Sequence, residues 1–240
     1  MTSITCPSSR WWSEISADNG LTLLDQHVDG NSEWSRVAAT GLADWQRAHR
    51  LAGIPTGNDL NLLEIGCGAG RMTGVLASHY REVVAVDVSE SYLRRARRNC
   101  PAANVTFRAI EGDGLQVAAD RQYDVAFSYE VFHYLAPPLL DRYFDEVHRL
   151  LRPGGQFVFE LNTEPLRWTT RLSIAVRRFL HACGKRSWRG WPTSPHFVRK
   201  VYSAEVTAGR LQQAGFSVSQ IINPGRRETW FVATKSHGER

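Results

Sequence analysis

Residues 60–234 predict an α/β fold: a doubly wound, mostly parallel sheet of seven strands that closes in an antiparallel hairpin. Three observations carry this. From residue 60 onward, short apolar and β-branched runs alternate with segments of helical spacing. The first run, Leu60 to Ile65, ends in Gly66-Cys67-Gly68-Ala69-Gly70, a glycine-rich turn of the kind that leads a strand into a helix. The last two runs are separated only by Asn223 to Glu228. Parallel neighbours need a crossover of roughly a dozen residues, so this pair must be antiparallel.

The elements follow in order. Residues 1–30 are irregular and polar apart from Trp11, Trp12 and Leu21 to Leu24. Ser32 can cap a helix in which Trp34, Val37, Ala38, Leu42, Trp45 and His49 recur at helical spacing, ended by Gly53 and Pro55. After the glycine turn, helical sequence runs from Gly70 to His79, and Glu82 to Val86 is a strand ending at Asp87. Ser89 can cap a helix to Asn99, with Pro101 just beyond it. Val105 to Ala109 and Tyr123 to Ser128 read as strands. Leu139 to Leu151 reads as a helix stopped by Pro153-Gly154-Gly155, and Gln156 to Leu161 as the fifth strand. Ala204 to Ala214 is a helix with Gly215 at its C-terminal cap, followed by strands Phe216 to Ile222 and Thr229 to Thr234. The expected organisation is a helical cap over 1–58 and a ligand-binding domain over 59–240, which includes a basic insertion at 165–200.

That insertion carries most of the information in the charge. The 240 residues have a formal charge of +5, from 29 basic and 24 acidic side chains. Residues 165–200 hold nine basic residues and no acidic one, which leaves 20 basic against 24 acidic elsewhere, a net of −4. A mildly acidic body with one basic segment excludes a uniformly basic nucleic-acid binder. With 42% apolar and 22% charged residues, the chain has the make-up of a globular domain with a sizeable core. Cys6, Cys67, Cys100 and Cys183 are scattered, without metal-ligand spacing, so free thiols in a reducing cytoplasm and no bound metal are expected. Neither a signal peptide nor an apolar run of about 18 residues is present, which also favours a cytoplasmic location.

Chemistry enters at the C-terminal ends of the strands, where open parallel sheets bind ligands. A dinucleotide fingerprint needs G-x-G-x-x-G, but Arg71 stands where its last glycine belongs. The spacing is G-x-G-x-G, preceded by Glu64, a carboxylate that would repel a pyrophosphate and suits a cationic ligand. Asp87 can accept both hydroxyls of a ribose, and Asp113, in Gly112-Asp113-Gly114, can accept from an adenine amino group.

Residues 60–161 resemble the class I S-adenosylmethionine-dependent methyltransferases of the broad small-molecule type. The resemblance rests on Glu64-Ile65-Gly66-Cys67-Gly68-Ala69-Gly70, Val86-Asp87-Val88-Ser89, Gly112-Asp113-Gly114, Tyr123-Asp124-Val125-Ala126-Phe127-Ser128 and Leu151-Arg152-Pro153-Gly154-Gly155, in that order. It implies S-adenosylmethionine as cofactor, with Glu64 and the loop glycines holding the methionine part, Asp87 and Val88 the ribose side and Asp113 the adenine. Cys67 reads as a small space-filler within that loop. The stretch Ser128-Tyr129-Glu130-Val131-Phe132-His133-Tyr134-Leu135 is expected to flank the methyl group and its acceptor. His133 is the first candidate base because an imidazole takes up a proton near neutrality, with Tyr129 and Glu130 beside it. A base favours a hydroxyl acceptor over an amine. The expected acceptor is a small molecule of bacterial specialised metabolism or sugar modification; a lipid or lipid-linked glycan at a membrane, and a non-catalytic cofactor-binding protein, are the alternatives.

The basic insertion is expected to fold over the acceptor. In Arg167 to Leu180 a helical face of Trp168, Leu172, Ala175, Val176 and Phe179 stands opposite Arg167, Arg171 and Arg178, with Arg177 at the edge. Cys183 to Pro195 reads as a lid, and Trp188 and Trp191 can stack on an acceptor ring. With Tyr134, Trp168 and Arg171 these form the expected substrate contacts. Four roles stand open: an apolar face packed on the core with solvated arginines, recognition of an anionic acceptor, contact with an anionic membrane, and, least favoured by the acidic body, RNA binding.

Overall fold

The computed structural model describes residues 34–115 and 122–236, with Trp11, Trp12 and Glu14. Cys6, the Leu21 to Leu24 run and the expected cap Ser32 lie outside the described residues. The order is α1 (Trp34–Ala52), β1 (Gly57–Ile65), α2 (Thr73–Leu76), β2 (Tyr80–Asp87), α3 (Glu90–Asn99), β3 (Val105–Ala109), β4 (Tyr123–Ser128), α4 (Pro137–Leu150) and β5 (Leu151–Leu161). Then come α5 (Trp168–Ala182), the short strands β6 (Ser187–Trp188) and β7 (Trp191–Pro192), α6 (Ala204–Gln213), β8 (Phe216–Ile222) and β9 (Thr229–Lys235).

The main sheet has seven strands in the order β3-β2-β1-β4-β5-β9-β8. Neighbours from β3 to β5 pair in parallel, and β9 inserts antiparallel between β5 and β8. The sheet is therefore the predicted doubly wound one with its closing hairpin. Its strands are apolar on both faces, as a sheet covered on both sides requires. Leu63, Ile65, Val84, Phe157 and Phe231 pack into one core layer with Phe132 and Phe144; Leu62, Val83, Val125, Phe127 and Trp230 pack into the other with Trp45 and Ile54. The adjacent Leu62 and Leu63 thus serve opposite faces, as strand alternation demands.

Local differences from the sequence reading have local causes. Only Thr73–Leu76 is helical within the expected 70–79 span, because the glycine turn occupies its start. Pro153-Gly154-Gly155 does not stop α4, which ends at Leu150; it lies inside β5. There the β4–β5 register shifts between Tyr123 and Val125, so a proline without an N–H and a Gly154 at φ 78° are absorbed where the ladder is interrupted. α1 buries Val37, Gly41, Trp45, Ala48 and Ala52, while the expected Leu42 is 43% exposed.

The largest departure is in the insertion. α5 buries none of its residues: Trp168 is 75% exposed, Phe179 68% and Leu172 57%. Packing of this face on the core is thereby excluded. Arg177 turns the other way, donating to the Pro192 carbonyl and lying over the Phe197 ring, 5.6 Å from its centroid. The expected lid contains an ordered hairpin in which Trp188 pairs with Trp191 across Arg189 and Gly190, both at positive φ (51° and 81°). Two left-handed residues between antiparallel strands make a type I′ turn.

Candidate functional site

The sheet order reverses between β1 and β4, and a cleft of about 420 Å³ opens over the C-terminal ends of the strands there. Its floor is the glycine loop. Gly66 has φ 79°, and a Cβ there would stand 2.2 Å from Val131 Cγ2, so the position needs glycine on both counts. Gly68 also lines the cleft, whereas Gly70 turns away and packs on Ala96 of α3.

The loop is tied to β2 through Asp87. The Gly68 N–H donates to Asp87 Oδ2 at 2.9 Å and the Ser89 N–H to Oδ1 at 2.8 Å. These bonds hold the carboxylate rigidly at the end of β2, where it can accept from vicinal hydroxyls. Burial pushes its carboxyl above the usual range, against the pull of these N–H groups. Glu64 lies beneath the loop, where Thr73 Oγ1 donates to its Oε2 at 2.6 Å. Burial raises the Glu64 carboxyl to about 7, and the Thr73 bond only partly offsets this. A positive group placed above it favours the ionised form, so the site is poised for a cation. Val88, Ile110 and Gly112 line the same cleft and supply an apolar wall with one backbone edge. A carboxylate for a diol, a buried carboxylate for a cationic amino-acid head and an apolar slot for a base fit S-adenosylmethionine. Cys67 lines the cleft as a free, buried thiol whose ionisation burial opposes, consistent with filling space.

Several expected contacts stand elsewhere. Asp113 turns to Arg142, 3.7 Å away, and Gly114 is buried; neither lines the cleft. Ser128 Oγ donates to the Ile65 carbonyl at 3.0 Å and ties the end of β4 to β1. Trp168, Trp188 and Trp191 line a separate hollow on the insertion, and Arg171 is exposed on α5.

His133 requires the clearest correction. It is wholly buried in the 3₁₀ turn Phe132–Tyr134, outside the cleft lining. Its Nε2 lies 3.5 Å from Glu130 Oε2 and its Nδ1 3.5 Å from Glu160 Oε2. Burial holds the imidazole at about 3. A general base must reach the proton it takes within roughly 3 Å, and this ring does not reach the cleft.

Tyr129, Glu130 and Tyr134 do reach it, and they meet a charged roof that sequence reasoning missed. Arg71 pairs with Asp44 of α1 at 2.5 Å. Arg47 Nη2 donates to Tyr129 Oη at 2.8 Å and pairs with Glu228, in the β8–β9 loop, at 3.1 Å. Arg199 pairs with Glu130. The Tyr129 ring lies flat on Trp230, with centroids 5.5 Å apart and planes 3° from parallel. Trp12, from the N-terminal segment, lies edge-on to Tyr134 at 5.1 Å. One signal for the roof was present in the sequence. A glycine inside a helix costs about 1 kcal/mol and marks a close approach. A Cβ on Gly41 would stand 2.2 Å from the Arg71 carbonyl oxygen, so α1 rests directly on the glycine loop.

Known proteins are similar to this chain in sequence over part of its length and in fold. Residues 62–155 match the family described as methyltransferase domain. An uncharacterized methyltransferase of Synechocystis is 29% identical over 59% of this chain and 66% of its own length. A ubiquinone biosynthesis O-methyltransferase of Ruegeria pomeroyi is 35% identical over 65% of this chain and 59% of its own. The chain thus spans less than two thirds of these relatives. The N-methyltransferase NodS of Bradyrhizobium japonicum, solved with S-adenosyl-L-homocysteine, superposes over 97% of this chain and 100% of its own with a TM-score of 0.61 at 19% identity, a likeness of fold. The loop motifs, the strand order and the cleft agree with these matches: residues 62–155 are similar to a methyltransferase domain, and the chain has the fold of the class I S-adenosylmethionine-dependent methyltransferases.

Proposed function

We propose that the chain transfers a methyl group from S-adenosylmethionine to a hydroxyl of a small, anionic acceptor bound under the arginine roof. The observation that carries this is the division of one cleft into two chemically different halves. Glu64, Gly66, Gly68, Asp87 and Val88 make one half; Arg47, Arg71, Tyr129, Glu130, Tyr134 and Arg199 make the other. The cofactor supplies an electrophilic methyl on a sulfonium whose thioether leaves without acid assistance. The protein's task is then to align the acceptor atom with that methyl and keep water out.

Glu130 takes the role first read onto His133. It stands two residues beyond β4 in the left-handed region at φ 61°, a conformation uncommon for a non-glycine residue. It lines the cleft, and burial raises its carboxyl while His133 and Arg199 pull the other way. A carboxylate there can accept a hydroxyl proton as the oxygen attacks. Arg227 supports the anionic acceptor: it lines the cleft, and among the described residues no carboxylate lies within ion-pair distance of it. The test is a transfer assay with radiolabelled cofactor over paired acceptors that differ only in a carboxylate or phosphate. The anionic members are expected to react, with Arg227→Ala raising KM at least tenfold and Glu130→Gln lowering kcat by roughly a hundredfold. Equal transfer to the neutral members would remove the anionic acceptor, and a Glu130→Gln enzyme of normal kcat would remove the base.

A further inference from the structure

We propose that the exposed face of α5 and the β6–β7 hairpin together form a docking surface for an anionic lipid bilayer. Large apolar side chains with this exposure are uncommon on a soluble surface unless they meet a partner. Here Trp168, Leu172 and Phe179 form one stripe along α5. At 3.6 residues per turn, Arg171 and Arg178 stand roughly a quarter-turn from that stripe. This is the arrangement of an interfacial helix: the stripe enters the acyl boundary while the arginine stems reach sideways to the headgroups.

The hairpin extends the surface. Trp188 and Trp191 join Trp168, Leu172 and Val176 around an open hollow of about 460 Å³, and Arg189 lies over the Trp188 ring at 4.8 Å. Tryptophan is the side chain favoured at the level of lipid headgroups. Arg167, Arg171, Arg178, Lys185, Arg186 and Arg189 are all exposed, and residues 165–200 contain no acidic side chain.

Charge decides between occupants. A second copy of this chain seated on the same face would set these cations against themselves. A nucleic acid would match the charge but leaves the Leu172 and Phe179 stripe without an apolar partner. A bilayer with acidic headgroups satisfies both the stripe and its flanks. No helix among the described residues is long and apolar enough to cross a membrane, so the contact is peripheral.

The test is co-sedimentation of the full chain with phosphatidylcholine vesicles, with and without one third phosphatidylglycerol, at low and high salt. Binding is expected only with the acidic lipid, weakened by salt, with a blue shift of tryptophan emission. Arg171→Gln combined with Arg178→Gln should lower the partition about thirtyfold, and Leu172→Ser with Phe179→Ser should abolish it. These side chains are exposed, so the melting temperature controls for folding. Absence of binding to acidic vesicles would overturn the proposal. So would equal binding to both vesicle types, or a concentration-dependent dimer or a tRNA gel shift in place of vesicle binding.

Discussion

The glycine loop and the basic insertion are both rich in motif-like sequence, yet the fold treats them in opposite ways. Around Gly66, Gly68, Asp87 and Glu64, nearly every polar atom is fixed: Asp87 holds two backbone N–H groups, Glu64 holds Thr73, and α1 lies against the loop with no room for a side chain at Gly41. In α5 no residue is buried, and the large apolar side chains point away from the core. The first region is set by the fold around it. The second is held by few contacts, such as Arg177 on the Pro192 carbonyl. Substitutions should therefore act through stability and ligand affinity in the loop, and through surface association in the insertion.

The contrast can be broken at the loop first. Gly66→Ala forces a Cβ into Val131 at positive φ and should cost about 3 kcal/mol, read as a lower melting temperature and loss of cofactor binding. Next is His133→Ala. As a buried wedge between Glu130 and Glu160, His133 should cost about 2 kcal/mol of stability on removal, while kcat of the folded fraction stays within a few-fold. A fall of a hundredfold or more in kcat would restore the base role and contradict the geometry.

A pH effect follows from Glu64. Its carboxyl is raised from 4.5 to about 7, so between those values the folded state holds a proton that the unfolded state has released. The Glu64 contribution to stability accordingly falls as pH rises through that window and levels off above 7, and the difference between wild type and Glu64→Gln separates it from the opposite contribution of His133. A cationic ligand binds the ionised form better, so affinity for S-adenosylmethionine should rise through pH 7, with proton release on binding. Glu64→Gln should remove its share of the stability change and flatten the affinity curve, the latter read by calorimetry in buffers of different ionisation enthalpy. The smallest effect belongs to the insertion: Leu172→Ser should change folding stability by less than about 0.5 kcal/mol, because no buried contact is lost.

The mostly parallel sheet, its closing hairpin and the glycine turn were legible in the sequence because each depends on near neighbours. Alternating runs define strands, the six-residue gap at 223–228 dictates the hairpin, and the G-x-G-x-G spacing with Glu64 and Asp87 names a cationic nucleoside ligand. The acceptor half was less legible because it is assembled at long range. Arg47 and Asp44 from α1, Arg71 from the loop, Arg199 from the insertion and Glu228 from the last hairpin meet only once the sheet is built. His133 misled for the same reason: its residue type suits a base, but its turn points the ring into the core between the Glu130 and Glu160 carboxylates. The helix of α5 follows its sequence periodicity, but Arg171 and Arg178 stand roughly a quarter-turn from the apolar stripe rather than opposite it, and periodicity does not say what that stripe meets.

The central claim is that Asp87 and the glycine loop form the cofactor site, and calorimetric titration with S-adenosyl-L-homocysteine tests it most directly. The expected result is a single site per chain with a dissociation constant on the order of micromolar, weakened at least tenfold in a folded Asp87→Ala variant. Absence of binding to the wild-type chain at millimolar ligand, or an unchanged constant in the variant, would contradict it.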